Sequence, residues 1–338
     1  MMPSGVVSYD AMKRHEAPWS ADCQSANTFA NFFPKSVEFR AMRIAVSGAT
    51  GLVGSAFCEF VAQRGHEPVP LVRNPDKEGI YWSIEKEALD VEALADVDAV
   101  VHLAGTNIGK KRWTEARKRM IRESRIVGTG LIAKSIAAMK DPPSVFVCAS
   151  AIGYYGDGGE EWLDEDSEPG EGFMAEVCRQ WEAACDPARP VCRVVNTRFA
   201  PILSTEGGAL ARMITPFKLC LGGRLGSGEQ FFSWVDLQDV IRAILFIIEN
   251  DDIEGPVNVV SPDPVRNKKF ADVLGDVMNR PSAVPVPEWA LKVRLGSEMA
   301  EELLLFSQRV RPARLLDAGF EFESPTVEEG LKNAISRE

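Results

Sequence analysis

From residue 42 onward the chain alternates short apolar runs with longer stretches whose apolar positions recur at helical spacing. Residues 43–47 are such a run, and after the glycines that follow, Val53, Ala56, Phe57, Phe60 and Val61 fall on one helical face. Gly65 then supplies a left-handed stop. The pattern repeats with "DAVVHLAG" as a strand, a helix from about Thr114 to Met139, "SVFVCAS" as a strand, a helix around 173–185, and "VCRVVNTRF" as a strand. Strands alternating with helices predict an α/β fold, its parallel sheet covered by helices on both faces.

Composition changes after Phe199. "STEGGAL" and "LGGRLGSGEQ" are glycine-rich, and "SPDPVRN" and "RPSAVPVPEW" are proline-rich. Between them "DLQDVIRAILFIIEN" is a strongly apolar helix of the earlier kind, and the last stretch, from "EWALKVRLG" to "LLDAGF", is helical and amphipathic. The chain is therefore expected to leave the sheet domain, return, and leave again. That gives a sheet domain over 42–205 and 236–262, and an interleaved smaller lobe over 206–235 and 263–335 that ends in a helical C-terminal segment. A cleft between them follows.

With 338 residues, 45% apolar and 26% charged, this is the composition of an ordinary globular protein. A formal charge of −11 argues against nucleic acid or an anionic membrane as partner. The one basic run, "KKRWTEARKRMIRESR", reads as the solvated face of a helix. Seven cysteines without a C-x-x-C pair suit neither a disulfide framework nor a zinc site, and imply a reducing, cytoplasmic setting. The three histidines, His15, His66 and His102, stand too far apart for a metal cluster, so no metal is expected. No apolar stretch reaches the roughly 18 residues of a membrane span. Residues 1–41 lack an apolar signal core, carry acidic residues and show no periodicity. They are expected to lack packed structure, as a disordered extension, as sequence preceding a true start at Met42, or as a weakly formed transit peptide.

The candidate chemistry begins with "GATGLVG". Gly48 permits a tight turn, Gly51 lets backbone approach a diphosphate, and Gly54 allows a helix to pack closely on a strand. The backbone around Ala49, Thr50, Leu52 and Val53, at the positive end of the helix, would then face phosphates. At the end of the second strand an acidic residue would hold a ribose 2′-hydroxyl. The chain instead reads "LVRNPD", so Arg73, next to the cofactor-binding candidate Val72, is placed to meet a 2′-phosphate, which favours NADP over NAD. "HLAG" ends its strand with Leu103, Ala104 and Gly105, small enough to wall a flat nucleoside. Arg125, mid-helix, either reaches the cofactor or lies on the helix surface.

"SGATGLVG", "HLAG", "SAIGYYG", "GGALARMITPFKLCLGGRLGSGEQFFSWV" and "PVRNKKFA" together resemble the epimerase-like branch of the extended short-chain dehydrogenase/reductases. "LLLFSQRVRPARLLDAGFEF" is similar to the small C-terminal domain of unassigned function in that branch. The resemblance, over residues 42–335, implies a Rossmann-type doubly wound sheet, bound NADP(H) and a substrate lobe. It assigns the three glycines to the diphosphate, Arg73 to the 2′-phosphate, Leu103 and Ala104 to the nucleoside, Arg125 to the cofactor, and Ile202 to the flank of the nicotinamide. Some relatives are labelled cell-division inhibitors or plastid-division factors, but nothing in these residues encodes a division partner. The chain departs from the branch at "RFAPILS", where Ala200 and Ser204 replace usual glycines.

The larger departure concerns proton transfer. The helix that should carry Tyr-x-x-x-Lys reads "GFMAEVCRQWE", with Phe173 or Met174 at the Tyr position and Val177 or Cys178 at the Lys position. Neither pair can move a proton. The orienting hydroxyl lands on Ala151, with Ser150 adjacent. Tyr154 and Tyr155 follow a strand at its C-terminal end, where open parallel sheets bind ligands, so Ser150, Tyr154 and Tyr155 are the candidate catalytic groups. Glu176 and Glu182 are expected to be solvated, and Asp236 and Asp239 to cap a helix. Trp113, Arg224, Gln230, Ser233, Trp234, Arg266 and Asn267 are candidate substrate contacts. Two functions fit: an NADP(H)-dependent oxidoreductase or epimerase acting on an unidentified small molecule such as a nucleotide sugar, or an NADP(H)-binding sensor or scaffold with little catalysis. The residues do not specify an oligomeric state.

Overall fold

The computed structural model describes residues 40–337. The expectations for residues 1–39 lie outside the described residues. From Ala41 onward the chain packs as one compact unit.

In chain order the strands are β1 (Arg43–Ser47), β2 (Glu67–Val72), β3 (Ile80–Ser83), β4 (Ala88–Leu89), β5 (Ala99–His102), β6 (Val145–Ala151), β7 (Trp162–Leu163), β8 (Arg193–Phe199), β9 (Ile202–Leu203), β10 (Phe231–Phe232), β11 (Val235–Asp236), β12 (Gly255–Val259), β13 (Val265–Arg266) and β14 (Arg309–Val310). Eight of them form one sheet in the order β12-β8-β6-β5-β1-β2-β3-β4. Every pairing in it is parallel except β3 with β4. The short strands β3 and β4, which periodicity did not reveal, extend the edge beyond β2. The chain runs outward from β1 to β2 on one side and resumes at β5 on the other, so strand order reverses at β1.

The helices are α1 (Leu52–Ala62), α2 (Glu115–Ala137), α3 (Phe173–Ala183), α4 (Leu210–Lys218), α5 (Leu237–Glu249), α6 (Asn267–Met278), α7 (Glu288–Leu295), α8 (Ser297–Ala300), α9 (Ala313–Asp317) and α10 (Val327–Ser336). Alternate residues of each central strand face opposite sides. Ile44, Val46, Val101 and Val147 meet Phe57 and Val61 of α1 and the apolar stripe of α5. Ala45, Val100, Phe146 and Val194 meet Ile132 and Ile136 of α2 and Trp181 of α3. Each such large side chain taken from water contributes about 1.5–3 kcal/mol, which fixes both helical layers against the sheet.

Helix α2 starts where Thr114 accepts a hydrogen bond from the Arg117 amide. Helix α1 stops at Gly65, whose φ of 84° only glycine adopts freely. A separate core of Leu210, Phe217, Phe270, Leu274, Val327 and Leu331 surrounds the fully buried Trp234.

Asp236 and Asp239 do not cap α5 through their side chains. Buried Asp236 instead receives two hydrogen bonds from Arg337, at 2.8 and 2.6 Å, and one from Ser324. Asp239 accepts the amides of Glu323 and Ser324. Both carboxylates tie the C-terminal segment to α5, which a local sequence signal could not distinguish from capping.

Candidate functional site

The glycine turn lies at the C-terminal end of β1, at the reversal of strand order. Gly48 has φ 71°, and a Cβ there would stand 3.0 Å from the backbone of Leu103 and Ala104. Ser47 Oγ accepts the amides of Leu103 and Ala104 at 3.1 and 3.3 Å, drawing the end of β5 against the turn. A Cβ on Gly54 would fall 2.2 Å from the Gly48 carbonyl oxygen, so the close crossing of α1 over the turn requires glycine. The first turn of α1 carries no acidic residue and no side-chain cap. Ala49, Thr50, Gly51, Leu52 and Val53 therefore surround backbone amides at a positive helix end, which suits the phosphates of a dinucleotide.

Val72 ends β2 half-buried, and Arg73 follows it exposed. Arg73 makes no ion pair among the described residues, so its charge is available to an anion. On the other side of β1, Leu103 and Ala104 are half-buried and Gly105 is exposed. Beneath Gly105 lies Arg125, 9% exposed, whose Nη1 donates to the carbonyls of Thr106 (3.1 Å) and Ile121 (3.2 Å). Its guanidinium stands 4.8 Å from the Trp181 ring centroid, and among the described residues its Nε has no partner and no carboxylate pairs with it. Burial lowers its pKa to about 10, with Arg117 adding to that effect and Cys178 opposing it. The basic run is thus not a uniformly solvated face, since its last residue is buried. His102 is also buried, shares a 2.6 Å hydrogen bond with Ser47, and is held neutral with its pKa down at about 3, by burial first and then by Arg125.

At the end of β6 the two adjacent phenols have different surroundings. The Tyr155 hydroxyl donates to Asn258 Oδ1 (2.8 Å) and accepts from Arg198 Nη1 (2.9 Å), and burial pushes its pKa up to about 12. Ser150 donates to Glu182 Oε1 at 2.7 Å. Glu182 in turn receives Arg198 Nε and Nη2 at 2.8 and 2.9 Å, a two-pronged buried ion pair. Glu182 is therefore not solvated, in contrast to the sequence expectation. The only hint was an Arg inside the apolar strand "VCRVVNTRF", since a buried charge needs a partner. Tyr154 lays its ring 3.5 Å below the Arg198 guanidinium, half-buried, and its hydroxyl has no hydrogen-bond partner among the described residues. Met174 and Cys178 of α3 pack beside Gly153, so this helix face presents a thioether and a buried thiol to the end of β6. Burial pushes that thiol up to about 12.

These surroundings predict opposite responses of the two phenols. Tyr155→Phe should lower stability by about 2–3 kcal/mol, because it strands Asn258 Oδ1 in the interior and leaves Arg198 Nη1 only its 3.5 Å bond to the Glu165 carbonyl. Tyr154→Phe should leave the denaturation midpoint unchanged. Equal midpoints for the two variants would contradict this separation.

Ile202, half-buried in β9, pairs in register with Val235, and its carbonyl oxygen lies 3.3 Å from where a Cβ on Gly208 would be. Gly207 of the same loop approaches Leu52, so the loop leans over the start of α1. Ala200 and Ser204, which stand where glycines are usual, are buried without positive φ, so neither needs a glycine here. Several candidate substrate contacts belong to the scaffold. Gln230 Nε2 donates to Leu225 and Leu304 carbonyls, Ser233 bridges to Gln308 and Val310, Trp234 donates to Asp263, and Asn267 accepts the Leu225 amide. Arg266 is paired with Glu160, Trp113 donates to Ile108, and Arg224 remains on an exposed loop. Glu302, which the sequence did not single out, accepts the Phe173 and Met174 amides at 2.8 and 2.7 Å and caps α3 from the C-terminal segment.

Among the described residues no group of acidic, His or Cys side chains could hold a metal ion, and no helix is long and apolar enough to cross a membrane.

Residues 44–260 match the NAD dependent epimerase/dehydratase family, and residues 286–334 match a domain of unknown function, DUF1731. An epimerase family protein of Mycobacterium leprae is 38% identical over 297 residues, covering 87% of this chain and 96% of that protein. The crystal structure of a human epimerase family protein (isoform 2) with NADPH superposes with a TM-score of 0.81 at 32% identity, covering 88% of this chain and all (100%) of that one. A nucleoside-diphosphate sugar epimerase from Corynebacterium glutamicum gives a TM-score of 0.71 at 32% identity, covering 87% of this chain and 59% of that one. A dinucleotide-type glycine turn at the switch point of a doubly wound sheet, with these likenesses spanning most of the chain, makes it a member of the NAD dependent epimerase/dehydratase family.

Proposed function

We propose that the protein is an NADP(H)-dependent oxidoreductase or epimerase-like enzyme that acts on an unidentified small molecule without a Tyr-x-x-x-Lys pair. The observation that carries this reading is the uncapped, acid-free start of α1 crossing the Gly48 turn where strand order reverses. The nucleotide, when bound, supplies or accepts a hydride. The amides from Gly48 to Gly54 hold the pyrophosphate and Arg73 takes the 2′-phosphate. Val72, Leu103, Ala104 and Gly105 wall the nucleoside, and Ile202 flanks the nicotinamide. Residues 206–235 and 263–335 form the substrate lobe. Of the three candidate catalytic groups, Ser150 and Tyr155 have their hydroxyls committed inside the fold, which leaves Tyr154 to handle a proton. A nucleotide sugar is a substrate class to test first, in line with the description of the Corynebacterium glutamicum neighbour.

Calorimetric titration is expected to give NADPH binding at least tenfold tighter than NADH, a margin typical of a charge-assisted phosphate contact of roughly 1.5–3 kcal/mol. Arg73→Ala should erase that preference while keeping NADH affinity. Tighter binding of NADH by the wild type would remove the assignment. Screening metabolite pools while following NADPH fluorescence then tests turnover. The commitment of Ser150 and Tyr155 favours a second reading, an NADP(H)-binding sensor or scaffold, which cofactor binding without turnover on any pool would support. A role in cell division draws no support from the site or from the relatives compared.

A further inference from the structure

Arg125 is a buried guanidinium without a counter-ion among the described residues. The groups packed around it supply no negative charge. The end of β5 offers Gly105 and the Thr106 carbonyl, and α3 offers the Trp181 ring and the Cys178 thiol, which burial keeps protonated. His102 is neutral, and Arg117 on the same helix adds a second positive charge. The Glu182 carboxylate is occupied by Arg198. The C-terminal ends of β5 and β6 thus hold a guanidinium that no carboxylate among the described residues offsets. Cys178 is, with Val177, one of the two residues at the position where the family pattern would have its lysine, and the cation beside it enters from α2 rather than α3.

Arg73 at the end of β2 draws the 2′-phosphate, and with it the adenosine half of the nucleotide, to that side of the switch point. The nicotinamide half then extends to the β5–β6 side, toward Arg125. The oxidised ring carries a positive charge and the reduced ring is neutral, while both forms share the same phosphates and sugars. We propose that Arg125 makes the site discriminate between redox forms of its nucleotide, favouring NADPH over NADP⁺ through charge repulsion of the oxidised ring. The inference rests on the NADP(H) reading above and adds a specificity residue to it.

Calorimetry of the wild type with each nucleotide separately tests it. Unit charges several ångströms apart in a partly desolvated site interact strongly enough to give NADPH a preference of roughly ten- to a hundredfold. Arg125→Met should bring the two affinities within about threefold, mainly by improving NADP⁺, whereas Arg125→Lys should retain most of the preference. Cys178→Asp, which leaves Arg125 in place and adds a carboxylate beside it, should also reduce the preference. A wild-type ratio near one, or one favouring NADP⁺, overturns the proposal even if no variant folds. So does an unchanged ratio in folded Arg125→Met. Binding of neither nucleotide to the wild type would overturn the NADP(H) reading itself, a result distinct from equal binding of both.

Discussion

Glu182→Ala is expected to destabilise the protein by about 3–5 kcal/mol, the cost of leaving a buried charge without its partner. The side chains of Arg198 and Glu182 are 3% and 13% exposed, so little solvent is available to rescue the stranded guanidinium. The loss should spread to the ends of β6 and β8, because Arg198 also donates to Tyr155 and lies over Tyr154, while Ser150 loses its acceptor. Denaturant unfolding measures this directly. The double variant Glu182→Leu with Arg198→Met should be clearly less destabilised than the sum of its single changes, since it removes both charges together. Additive losses would mean that the two groups act independently.

Gly54→Ala should cost about 2–3 kcal/mol of stability through overpacking, and weaken NADPH binding by roughly ten- to a hundredfold as α1 is pushed off the turn. The new methyl group would start 2.2 Å from the Gly48 carbonyl oxygen, with further backbone at 2.8 and 2.9 Å, so no flexible side chain can yield to it. Gly130 provides the contrast. It lies within α2 with nothing within 4 Å of its Cβ position, and alanine there should stabilise by about 0.5–1 kcal/mol through helix propensity. A Gly54→Ala protein with wild-type NADPH affinity would show that the helix crossing does not set the phosphate site.

The elements that proved legible in advance are those written in short-range patterns. The strands β1, β5, β6 and β8 and the helices α1, α2, α3 and α5 stand where short apolar runs and helical spacing placed them, and Gly65 stops α1 as its position suggested. The turn at Gly48 was readable because glycine at those spacings, between an apolar strand and an amphipathic helix, has few other uses. Misreadings fell where a polar residue finds its partner far along the chain. Glu182 looked like a solvated helix residue and is bound to Arg198 on β8. Asp236 and Asp239 looked like caps and hold residues 323, 324 and 337. Gln230, Ser233 and Asn267 looked like ligand contacts and satisfy backbone groups instead.

By itself the sequence determined the alternation of strand and helix, the phosphate-type turn, the absence of Tyr-x-x-x-Lys on α3, and the cation that follows β2. Only the tertiary structure decided that Tyr155 is tied into the fold, that among the described residues the Tyr154 hydroxyl has no hydrogen-bond partner and buried Arg125 no counter-ion, and that Glu302 caps α3. The physical reason is range. Backbone propensity and amphipathic periodicity are settled by neighbours within a few residues, whereas the fate of a charge or hydroxyl depends on which distant group packing brings to it once water is removed.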